Sequence, residues 1–225
     1  MIRELGISIK MLKHGFQAKM QMGMMVLFLI IGLTIELGTK GTYWMGSMFV
    51  MITPMYFAQL IYGLGLSQMV TVSPHNRRFQ TGVPAMGSAI LSTICFTILV
   101  LVKCWEINKH PELTDIIMMG LFITGVISLV FNVYTAVVYK YYAVSLILMC
   151  ISVGGISGSY GFLTGMGREI RLPLVSNLSV GGVILLSYVL VLAGALLQYV
   201  ISCALYRKPL SEYAQGAMMR KYLKG

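Results

Sequence analysis

Long apolar runs separated by short polar stretches dominate the chain. Six of them approach or exceed the roughly 20 residues needed to cross a hydrocarbon layer as a helix. They cover residues 22–38, 43–65, 85–102, 116–139, 143–165 and 180–205. The last run starts as early as Val175, so 173–179 reads as a loop or short surface helix before the final span. Ahead of the first span, Ile2, Leu5, Ile9, Leu12 and Phe16 recur at steps of three and four, while Lys10, Lys13, Gln17 and Lys19 fall off that stripe. Such a period predicts a basic helix with one apolar face, suited to the inner membrane interface or to packing on a partner. The expected fold is an all-α integral membrane protein. It divides into an amphipathic helix over 1–21, a six-helix transmembrane domain over 22–206 and a C-terminal helix over 207–225.

Composition sharpens the picture. Of 225 residues, 57% are hydrophobic and only 11% charged, against about 25% charged in soluble domains. The mean hydropathy is +0.82. Six spans with short connections use nearly the whole length, which leaves no room for a soluble catalytic domain. The net charge of +10 does not point to nucleic acid, because Lys and Arg sit at the ends of the apolar runs. Placing the N-terminus inside puts twelve of them on the cytoplasmic side and five (Lys40, Lys103, Lys109, Arg168 and Arg171) outside. That bias assigns both termini to the cytoplasm, and the expected location is a multi-pass cell membrane, bacterial in kind. Polar residues continue to Gln21 with no cleavage site after the first run, so no signal peptide is expected. Cys95, Cys104, Cys150 and Cys203 form no CxxC and read as small apolar residues rather than disulfide or metal ligands.

The loop after the second span carries Ser73-Pro74-His75-Asn76-Arg77-Arg78-Phe79-Gln80-Thr81-Gly82-Val83-Pro84. Serine then proline is a helix start, and Gly82 with Pro84 a stop. A cytoplasmic helix of about two turns is predicted over 73–80, bearing two arginines and an aromatic. Near the far end, Ser211 caps a second cytoplasmic helix, with Glu212 in its first turn and Arg220, Lys221 and Lys224 in its last.

Within the spans, Gly154, Gly158, Gly161 and Gly165 form two GxxxG spacings, suited to helix packing, subunit contact or a partly unwound span. Pro54 is expected to kink the second span and free a carbonyl for Thr53, Gln59 or water. Tyr56, Gln59 and Asn132 are polar at membrane depth and mark a possible substrate path. Glu36 is the carboxylate inside an apolar run. Near its outer end, it is expected to reach water or pair with Lys40. Met45, Met48, Met51 and Met55 mark one side of the second span, read as lipid-facing or as a surface for varied cargo. No Gly-Lys dipeptide exists, so this chain holds no nucleotide phosphates. Scattered His14, His75 and His110 exclude a histidine metal centre, and neither an Asp pair nor GxSxG is present. No cofactor, metal or catalytic residue is expected.

With these features together, the chain resembles the membrane subunits of type-2 ABC transporters, the exporter-type permeases. The closest local likeness is Thr71 to Phe79, similar to that family's S-P-x-(S/N)-R-R loop, although Gly82-Val83 stands where the family often has Gly-Lys. The resemblance implies that 73–80 is a coupling helix docking on a separate ATPase subunit through Ser73, Pro74, His75, Arg77, Arg78 and Phe79. It also implies a second permease copy, with ATP and Mg bound by the partner ATPase. The cargo would be an amphipathic peptide, a drug or a lipid-like molecule. A secondary transporter or channel relying on Glu36, and a non-transporting immunity or sensor protein, are the alternatives.

Overall fold

The computed structural model describes residues 6–7, 9–10, 18–65, 76–138, 141, 147–156, 175 and 177–206. Among these, all regular structure is helical, and five helices are long and apolar enough to cross a membrane. They are α1 (Ala18–Gly38), α2 (Trp44–Gly65), α4 (Gly82–Lys109), α5 (Thr114–Val138) and α7 (Val180–Leu205). A five-residue α3 (Asn76–Gln80) precedes α4, and a short α6 (Ile147–Ile156) lies between α5 and α7. Of the predicted fifth span, 147–156 is described and the rest lies outside the described residues, as does the C-terminal helix. The N-terminal helix is represented by Gly6, Ile7, Ile9 and Lys10, which are helical and exposed, and by Ala18 and Lys19 at the start of α1.

Local chemistry explains where the helices break. After α1, Lys40 and Gly41 both take left-handed φ values, 54° and 69°. Glycine adopts that region freely, whereas a non-glycine there is uncommon. Gly82 and Pro84, expected to end the short helix, also begin the next one. Thr81 alone separates α3 from α4, and Pro84 falls in the first turn, where backbone amides have no helical partner to lose. The third span therefore extends beyond 85–102 to Lys109. It ends before Pro111, which has no amide to donate and opens a single 3-10 turn, Pro111–Leu113. Ser179 caps α7, its Oγ accepting from the Gly182 amide at 3.3 Å.

Helix α5 is the central element, packed on α2, α4 and α7 and buried along nearly all its length. By contrast, α1 packs along α2 and leaves Met22, Val26, Ile30 and Leu37 exposed. Helices α1 and α2 form a tight antiparallel hairpin. A Cβ on Gly32 would lie 2.8 Å from the Gly46 carbonyl, and one on Gly46 would lie 2.9 Å from that of Gly32. Such approach replaces the hydrophobic drive that helices lack in lipid. A similar contact joins α5 to α7, where a Cβ on Gly194 would come within 2.8 Å of Leu129 Cα. Their registers advance together: Ile117 and Leu121 lie with Val180 and Ile184, Gly125 with Ser187, and Leu129 with Gly194. Helices α5 and α7 therefore run parallel.

The methionine side of α2 faces the protein rather than lipid. Met51 is buried, and Met45, Met48 and Met55 are partly buried against the main core. Pro54 sits within a continuous α2. Thr53 does not serve the carbonyl that proline frees; its hydroxyl donates to Met25 O on α1 at 3.4 Å.

Candidate functional site

One end of the bundle carries a buried ion pair. Lys103 Nζ on α4 lies 3.0 Å from Glu36 Oε2 on α1 and donates to the Gly41 carbonyl at 2.9 Å. Both side chains are almost wholly inaccessible, 1% for Lys103 and 0% for Glu36. Ser47 on α2 donates to the other Glu36 oxygen, and the Gly41 amide reaches the Glu36 backbone carbonyl at 2.8 Å. One lysine thus joins α4 to α1 and to the turn of the α1–α2 hairpin, and Ser47 ties α2 to the same carboxylate. Here the expectation for Glu36 is corrected: it neither reaches water nor pairs with Lys40, which is exposed. The helix simply continues past residue 102, carrying Lys103 inward. Burying an ion is expensive unless it is paired and hydrogen-bonded, and this pair has both.

Small residues make the cluster possible. A Cβ on Gly41 would sit 3.7 Å from Glu36 Oε2 and from Lys103 Cγ, and 3.9 Å from Glu106 Cβ. Gly120 on α5 leaves the lysine headgroup room, a Cβ there lying 3.5 Å from Nζ. Glu106, a turn beyond Lys103, is also buried. Two residues from the lysine, Trp105 is exposed, with Lys109 Nζ 3.3 Å above its ring. Amphipathic tryptophans favour the headgroup level.

At the opposite end, α3 lies against α2 and α4. Phe79 is buried with Ile61 of α2 and Val83 of α4, Gln80 and Thr81 are buried, and Arg77 and Arg78 are exposed. Phe79 is therefore not a side chain held out for a partner, as the resemblance implied; its ring is taken up within this chain. Its burial fixes the two arginines to the ends of two spans. Ser73, Pro74 and His75 lie outside the described residues.

Between the two ends runs a neutral polar seam. Ser88 of α4 donates to Asn132 of α5 at 2.8 Å, and Asn132 Nδ2 donates to the Ser128 carbonyl at 2.9 Å. Tyr62 of α2 and Ser202 of α7 share a 2.8 Å hydrogen bond. Other valences are unmet. Among the described residues, Ser128 Oγ, both amide atoms of Gln198 and the Tyr206 hydroxyl are buried without a hydrogen bond of good geometry, although Gln198 lies close to the Tyr62 hydroxyl.

The predicted path residues do not assemble into one site. Tyr56 stacks on Phe28 of α1, with ring centroids 5.6 Å apart, whereas Asn132 belongs to the seam and Gln59 is half-buried on α2. Gly154 is exposed, and a methyl there would meet nothing within 4 Å; Gly158, Gly161 and Gly165 lie outside the described residues. Sequence reading placed Lys103 in a loop and overlooked Ser47 and Gly41. The available signal was a pair of opposite charges, Glu36 and Lys103, near the C-terminal ends of two spans that run in the same direction. No family model, curated protein or solved structure matches this chain.

Proposed function

We propose that this chain is the permease subunit of an ATP-driven exporter of the type-2 ABC kind. A separate ATPase would supply the energy, and amphipathic peptide, drug or lipid-like molecules would be the cargo. The observation that carries the reading is α3. A short helix anchored by Phe79 on α2 and α4, yet exposing Arg77 and Arg78, has the form of a lever. Force applied to the arginines by an acidic groove on a partner passes directly into two spans. Arginine suits that contact, since its planar fork pairs with carboxylates.

Topology supports the same reading. Because α5 and α7 run parallel, the connection between them returns from one face of the bundle to the other. Counting that return as a span would give six crossings and put both termini on the α3 side, the arrangement that the Lys and Arg bias predicts. Gly154, open on its helix surface, suits contact with a second permease copy. A carrier driven by an ion gradient needs a carboxylate free to exchange a proton or cation. Glu36, already held by Lys103 and Ser47, is not free, which counts against a carrier that relies on it.

Co-purification of this chain with an ATPase of its own host, and loss of that complex in Arg77→Glu/Arg78→Glu at unchanged expression and thermal stability, is the expected result. Retention of the complex in the double variant, or labelling of Arg77→Cys from outside intact cells, overturns the proposal.

A further inference from the structure

The Glu36–Lys103 pair does more than fill a core. Helix α1 packs along α2, and among the described residues its polar tie to α4 is this one lysine. The stem of Lys103 starts among Ile117, Leu121 and Ile184, on the α5–α7 side, and its headgroup crosses beside Gly120 to the hairpin turn. It bridges the two halves of the bundle across their end. Elsewhere the described helices join through glycines, apolar contact and neutral hydrogen bonds, without charge. A charged tie has two discrete arrangements, paired and parted, and bistable elements of that sort carry conformational change.

Beneath the pair, the buried stripe of α4 continues through Leu99, Cys95, Ser92 and Ser88. It leads to the unmet hydroxyl of Ser128 and amide of Gln198. Buried polar groups without partners are stabilised by water, so the seam gains from opening while the ion pair holds it shut. Trp105 puts the headgroup level about 3 Å along α4 from Lys103, so water is near once the tie parts.

We propose that Lys103 is the bolt of a gate: paired with Glu36 and Gly41 it closes this end of the bundle, and its release lets the α1–α2 hairpin separate from α4 and admits water to the seam. The gate rests on the transport reading above, as the step that exposes the path on the side away from α3.

Cys95, 2% exposed and on the same stripe, is a native reporter. The full chain, with Cys104, Cys150 and Cys203 changed to Ala, is placed in lipid nanodiscs and treated with a charged maleimide. Glu36→Gln and Lys103→Met are expected to label Cys95 about tenfold faster, as when a minor open state rises from about 1% to about 10%. The exchanged pair Glu36→Lys/Lys103→Glu is expected to return the rate to within about twofold of the parent, because opposite charges again face each other. Should Glu36→Gln fail to fold, Glu36→Asp withdraws the carboxylate by one methylene and must also speed labelling. Unchanged labelling in the single variants overturns the gate, and so does fast labelling that persists in the exchanged pair, which would signify general loosening. Since no ATPase enters this measurement, its failure leaves the coupling proposal standing, and loss of the ATPase complex leaves the gate testable.

Discussion

The two polar interiors of this bundle are built on opposite principles. At the hairpin end, Glu36 and Lys103 form a buried ion pair, and Lys103, Ser47 and the Gly41 turn satisfy the carboxylate and ammonium. Along the α4–α5–α7 seam there is no charge, only hydroxyls and amides, yet Ser128 and Gln198 keep valences unmet. The more costly groups are the better supported. Desolvating an ion costs several kcal/mol and tolerates no missing partner, whereas an unpaired hydroxyl or amide costs about 1–3 kcal/mol. The charged end is consequently either closed or broken, and the neutral seam has room to adjust.

That contrast is broken most forcefully at the ion pair. Lys103→Met alone leaves Glu36 buried without its cation, and a loss of about 3–5 kcal/mol is expected in reversible unfolding from mixed micelles. Glu36→Gln/Lys103→Met removes both charges and is expected to recover most of that loss, since a neutral replacement of a buried pair is often no less stable. A double variant as unstable as the worse single one would show that the charges are not what couples the hairpin to α4.

Next in size is the hairpin itself. Gly46→Ala places a methyl 2.9 Å from the Gly32 carbonyl oxygen, so α1 and α2 must part. Overpacking of that kind costs about 1–3 kcal/mol. Because Glu36 lies over Gly46, with Cγ 2.8 Å from the added carbon, the same variant is expected to speed Cys95 labelling. The seam responds more weakly. Asn132→Ala removes the Ser88 hydrogen bond and is expected to cost about 0.6 kcal/mol, the average for such bonds between membrane helices, and no more than about 1.7 kcal/mol. Gln198→Leu removes an amide that has no well-formed bond and should be neutral or stabilising. A destabilisation by Gln198→Leu as large as that by Asn132→Ala would erase the distinction between satisfied and unmet groups. Smallest of all, Gly154→Ala meets nothing within 4 Å and should shift the stability of the single chain by less than about 0.5 kcal/mol. A fall in self-association at constant stability would identify that face as a subunit contact.

Much of the architecture was legible before any coordinates. The observed α2, α5 and α7 fall on the apolar runs read as the second, fourth and last spans, because a bilayer demands a minimum apolar length. Boundaries failed where a charge was read as an end. Lys103 looked like the first loop residue, yet α4 runs to Lys109 because Pro111, not the charge, stops it. The site was less legible. The methionines of α2 were periodic in sequence, but periodicity names a side of a helix without saying what lies opposite. Glu36 was recognised as unusual, while its partner, 67 positions away, was assigned to the nearby Lys40.

What the sequence determined by itself was the solvent: long apolar runs and few charges make lipid the surrounding medium, and helices follow because every backbone group must then be satisfied within its own segment. Tertiary structure alone decided which polar groups meet. Two glycines let α1 and α2 touch, a left-handed turn presents a carbonyl, and only then does Lys103 find Glu36. Side-chain pairing depends on distances of about 3 Å between helices far apart in the chain, and no one-dimensional pattern encodes that proximity.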